Sequence, residues 1–85
     1  MSQSLEAYLV LAILLFGIGA FGFLAKRNAI AMLMSIELML NSVNLAIIAF
    51  GAFTPEFAAH ASSIALFVIA VAAAEATVGL AIVIA

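Results

Sequence analysis

AIAMLMSIELMLNSVNLAIIAFGAF, from Ala29 to Phe53, decides the fold. It is apolar on every side, with one charge, Glu37, and a few Ser and Asn residues. At about 1.5 Å per residue an α-helix of this length crosses the roughly 30 Å of hydrocarbon in a bilayer. A strand of a membrane barrel would alternate in polarity, and this stretch does not. A single span satisfies all its backbone groups only as a helix.

Charges frame this stretch and its neighbours. The six in the chain are Glu6, Lys26, Arg27, Glu37, Glu56 and Glu75. Ala7 to Ala25 is uncharged, and Ala61 to Ala85 is interrupted only by Glu75. The expected architecture is all-α: one membrane domain over 1–85, with three transmembrane helices at about 5–25, 29–53 and 57–85. Short loops join them, and they pack against partner subunits. Of the 85 residues, 71% are hydrophobic and 7% charged, too little polar surface for a small water-soluble domain. That excludes a soluble enzyme, a nucleic-acid binder and a disordered tail. With no Cys, disulfides and thiolate metal sites cannot form within the chain. The first span lacks a basic segment before it, so it reads as a retained helix rather than a signal peptide.

Both basic residues, Lys26 and Arg27, lie in the first loop. The positive-inside rule puts that loop in the cytoplasm, the N-terminus and second loop outside, and the C-terminus in the cytoplasm. In the second loop, Thr54-Pro55-Glu56 resembles a helix start, with a capping hydroxyl, a first-turn Pro and an acid at the positive dipole end, so either the third helix begins at Pro55 or a separate helical turn lies at the interface. The apolar run reaches Ala85 without a basic or aromatic anchor, and a tail beyond it is expected.

Glu37 and Glu75 are the residues that need explaining. An acid within a span is costly and marks an ion path or proton relay by default. Glu37 is 8 residues past Ala29 and Glu75 is 10 before Ala85, about 12 and 15 Å from the same membrane edge. In antiparallel helices both fall in one layer. Asn41 and Asn44 follow Glu37 at i+4 and i+7, within about 60° of it on the helical wheel. This polar stripe can hold water or satisfy either state of the acid. Glu75 sits among small residues, Ala72-Ala73-Ala74-Glu75-Ala76-Thr77-Val78-Gly79, which favour close helix packing. A buried carboxyl avoids a desolvation cost when neutral, so it is suited to taking up and releasing a proton. One such acid could serve as hydrogen-bonding glue; two in one layer favour transport. Gly17, Gly19 and Gly22 read as packing, His60 as a loop residue, Tyr8 as part of an aromatic belt.

No nucleophile–base pair, phosphate loop or metal cluster is present. The chain itself should bind no cofactor, no nucleic acid and no small-molecule substrate. Three helices are too few to enclose a path around two acids, so partner helices are expected to complete it.

Arg27-Asn28-Ala29-Ile30, Met34-Ser35-Ile36-Glu37-Leu38-Met39-Leu40-Asn41 and Val43-Asn44-Leu45 resemble the second-helix signature of the K subunit of respiratory complex I, the NADH:quinone oxidoreductase. Ala72 through Ala81 resembles that family's third-helix signature. The likeness covers all three helices. It implies a three-helix subunit of a bacterial inner-membrane complex with an outward N-terminus. It also implies that Glu37 and Glu75 match two membrane-embedded glutamates of a proton path. The implied neighbours are the J, A and N-type membrane subunits. Quinone, flavin and iron–sulfur clusters would belong to other subunits. The signature is shared with complexes that take electrons from ferredoxin, so the donor stays open.

The alternatives are a C-type subunit of a multisubunit cation/proton antiporter, which sodium dependence would favour, and a structural spacer, which tolerance of Glu37→Ala would favour. An ATP synthase rotor subunit has two helices and one acid. Small multidrug transporters have four helices and an aromatic-rich site.

Overall fold

The computed structural model describes residues 4–85. The first three positions, and with them the N-terminus expected outside, lie outside the described residues. Three long helices follow in order: α1 over Leu5–Ala25, α2 over Ala29–Phe53 and α3 over Ala58–Ile84, with a 3-10 turn at Pro55–Phe57 before α3. All are long and apolar enough to cross a membrane. The third helical segment is therefore split into the 3-10 turn, with Pro55 at its first position, and α3. Thr54, expected to cap, makes no side-chain cap hydrogen bond.

The starts of α1 and α2 are capped, whereas that of α3, at Phe57, has no side-chain cap. Asn28 Oδ1 accepts from the N–H groups of Ile30 at 2.8 Å and Ala31 at 3.3 Å. Ser4 Oγ accepts from the N–H of Ala7 at 3.2 Å. Caps satisfy amide groups that helix starts leave unpaired. The loop between α1 and α2 is only Lys26, Arg27 and Asn28, which forces the two helices to lie side by side and antiparallel.

α2 is the central helix. It packs against α1 on one side and α3 on the other, and α1 and α3 do not meet among the described residues. The result is a flattened slab of 45 × 24 × 17 Å in which α2 keeps α1 and α3 apart. Its seams are lined with small residues: Ala12 and Gly19 of α1, Ala49 and Gly51 of α2, and Ala61, Ala65 and Ala72 of α3 are buried. Three glycines set the closest approaches, among them Gly22, where a Cβ would sit 2.6 Å from Ser35 Oγ. A Cβ on Gly19 would sit 2.7 Å from Met39 Cγ and 2.9 Å from the Ser35 carbonyl oxygen. A Cβ on Gly51 would sit 2.5 Å from that of Ala61. Large apolar side chains such as Ile13, Phe21, Leu24, Phe67 and Ile82 point outward instead, as expected where the solvent is lipid or another helix.

Candidate functional site: two carboxyls across one seam

The contacts between α2 and α3 fix the height of the two acids. Gly51 lies against Ala61, and Leu33 lies against Gly79. From Leu33, four residues forward along α2 reach Glu37. The matching four residues back along α3 from Gly79 reach Glu75. The Gly51–Ala61 contact gives the same register, so Glu37 and Glu75 share one level of the slab.

They do not share one side of the seam. The line of α3 that faces α2 runs through Ala72 and Gly79. On a helical wheel Glu75 lies about 60° to one side of Ala72, and Ala76 about 40° to the other. Ala76 lines a valley of about 650 Å³ together with Glu37, and Glu75 does not line it. α2 forms the floor of that valley, with Ile18, Gly22 and Lys26 of α1 on one wall and Ala76 and Leu80 of α3 on the other. Glu37 is half-buried and its Oε1 is buried without a hydrogen-bond partner. Glu75 is exposed on its helix. Helix geometry adds a vertical offset. Every Cα–Cβ bond tilts toward the N-terminus of its helix. Because α2 and α3 are antiparallel, Glu37 leans toward the Lys26 end of the slab and Glu75 toward the Thr54 end.

The polar stripe on α2 divides. Asn41 is exposed and lines the valley beside Glu37. Asn44 turns into the slab, is 6% exposed, and its Oδ1 is buried with no partner. Ser42, 2% exposed, spends its hydroxyl on the Met39 carbonyl at 2.6 Å. Ser35 and Thr77 likewise donate to Ala31 and Ala73 carbonyls, each at 2.9 Å. These hydroxyls are thus committed to their own helices. Lys26 and Arg27 are exposed at the end of the slab, and Lys26 also lines the valley. No group of three or more His, Cys, Asp or Glu suited to a metal ion occurs among the described residues.

Leu33 and Ala76 shape the surroundings of Glu37, yet the sequence does not mark them. Each is one apolar residue among many, and only the antiparallel register brings them beside the acid.

The pattern of the family described as NADH-ubiquinone/plastoquinone oxidoreductase chain 4L matches residues 7–85. The chain belongs to this family. Among chain 4L relatives, the NADH-quinone oxidoreductase subunit K of Anaeromyxobacter sp. (strain K) is 61% identical over 80 residues, covering 94% of this chain and 79% of the relative. Subunit K of Geobacillus kaustophilus is 54% identical over 83 residues, 98% of this chain and 82% of the relative. NAD(P)H-quinone oxidoreductase subunit 4L from the organellar chromatophore of Paulinella chromatophora is 54% identical over 82 residues, covering 96% and 80%. Membership of the chain 4L family agrees with a chain made almost wholly of three helices long and apolar enough to cross a membrane. The antiporter, rotor and drug-transporter readings give way to it.

Proposed function

We propose that this chain is a non-redox membrane-arm subunit of a proton-translocating NADH-quinone oxidoreductase, and that Glu37 and Glu75 form a proton relay in it. One observation carries the reading: two carboxyls stand at one level, well inside two adjacent spans, on either side of one small-residue seam. Placing an acid there is costly without a use for it. Each carboxyl can bind a proton and stay neutral within the bilayer, and each can release it when its surroundings change. Asn41 and Asn44 supply both donors and acceptors along α2. Electron transfer takes place elsewhere in the assembly, where quinone, flavin and iron–sulfur clusters reside. Moving one proton against about 100 mV requires about 2.3 kcal/mol, which rearrangement of the neighbours of Glu37 and Glu75 would deliver. Subunits of the J, A and N types cover the slab in this reading. The membrane is the bacterial inner membrane, with the Lys26–Arg27 loop in the cytoplasm.

The test is proton pumping by vesicles containing the whole complex with Glu37→Gln or Glu75→Gln, with quinone reduction and assembly recorded in parallel. The expected result is an assembled complex with a reduced proton yield per electron pair in each variant. Normal proton yield in both would sink the relay.

A further inference from the structure

The two basic residues of the chain have no acid of the chain beside them. Lys26 and Arg27 are adjacent and exposed in the first loop. Glu6 and Glu56 stand at the opposite end of the slab, and Glu37 and Glu75 lie well inside the spans. α2 begins just after this pair, and the positive end of its dipole adds to their charge.

The valley over α2 opens at this charge, with Lys26 in its lining. Behind Lys26, Ile30, Met34 and Leu38 make an apolar floor about 12 Å long. Ile18 of α1 and Leu80 of α3 form the walls, and Asn41 marks the inner end. Few polar groups compete for what lies there. The Ser35 hydroxyl is spent on the Ala31 carbonyl, and Glu37 Oε1 is buried. Past Asn41 the same side of α2 carries only two smaller hollows, of about 250 and 260 Å³, one toward α3 and one toward α1. The valley of about 650 Å³ is thus confined to one half of the membrane, about 15 Å of hydrocarbon.

We propose that this valley seats an acyl chain of a phospholipid whose negatively charged headgroup rests on Lys26 and Arg27. The charge at the mouth calls for an anion, the floor calls for hydrocarbon, and the length is that of one leaflet. Basic pockets between transmembrane helices hold anionic headgroups in this way, and the stem of Lys26 can lie on the apolar surface while its ammonium meets the phosphate. A partner helix crossing the whole bilayer would need a groove that keeps its width beyond Asn41. The inference concerns the lipid held by the chain, so it stands or fails without the relay.

The test uses the intact complex reconstituted in phosphatidylcholine with a trace of photoreactive lipid. Phosphatidylglycerol and phosphatidylcholine probes would carry the same diazirine-bearing acyl chain, and cross-links to this chain would be located by mass. The expected result is labelling around Met34 and Leu38 that favours the phosphatidylglycerol probe by about fivefold or more, the worth of one basic residue at an anionic surface. Lys26→Gln, with Arg27 kept to preserve the loop bias, should lower that preference about fivefold. Val43, exposed on the opposite face, should show no preference. Equal labelling of the valley by both probes would mean ordinary solvation by the bilayer and would overturn the proposal. So would a valley that neither probe reaches, which would place a partner protein there. The native complex alone decides between these outcomes if Lys26→Gln fails to assemble.

Discussion

Asn44 shows how differently two residues of one stripe can fare. Asn41 reaches the valley, while Asn44 is closed into the slab with an unpartnered Oδ1. A buried polar atom left unpaired costs roughly 1–3 kcal/mol, and replacing it with an apolar group of the same branching removes that cost. Asn44→Leu is therefore expected to leave the heat-induced dissociation temperature of the solubilised complex unchanged or raised. A clear fall would mean that the amide has a hydrogen-bond partner in the assembly. Both acids were legible from the sequence, because a carboxyl in an apolar run stands out against its surroundings. The division of the stripe was not legible. Helical spacing gives angles between residues of one helix, but the direction of the neighbouring helix sets which of them are buried. The same holds for Leu33 and Ala76, which acquire their place beside Glu37 only through the register with α3.

At the scale of the helices, the two seams depend on the absence of side chains at particular points. A methyl group at Gly51 would meet Ala61 at 2.5 Å, whereas at Gly17 nothing lies within 4 Å. Gly51→Ala is expected to push α2 and α3 apart at a cost of about 1–3 kcal/mol, the usual range for overpacking. Gly17→Ala should be neutral or slightly stabilising, since alanine is the better helix former by about 1 kcal/mol. The yield of assembled complex and its melting temperature, compared between the two variants, check this; equal effects would count against the close α2–α3 approach. Helix positions were readable because the charges and the Pro mark their ends. The 3-10 turn at Pro55–Phe57 was one of two readings the Thr-Pro-Glu signature allowed, since it holds equally for a helix start and for a separate turn that precedes one.

For the whole molecule, orientation rests on very few charges. Lys26 and Arg27 are the only basic residues, and both lie at the same end of the slab. A reporter active only in the cytoplasm, fused after Ala85, is expected to be active with the native loop. It should lose much of its activity when both residues are changed to Gln, because the loop bias that sets orientation is then gone. An inactive reporter on the native chain would reverse the orientation.

The separation of α1 from α3 by the central helix has a further consequence. Such a partition has two broad surfaces and almost no interior of its own, so each acid borders a different neighbourhood. Whatever stands against the valley can adjust Glu37 without touching Glu75, and whatever covers the exposed side of α3 can adjust Glu75 without touching Glu37. In the proposed relay the two acids are thus open to separate control, with only the width of one alanine- and glycine-lined seam between them.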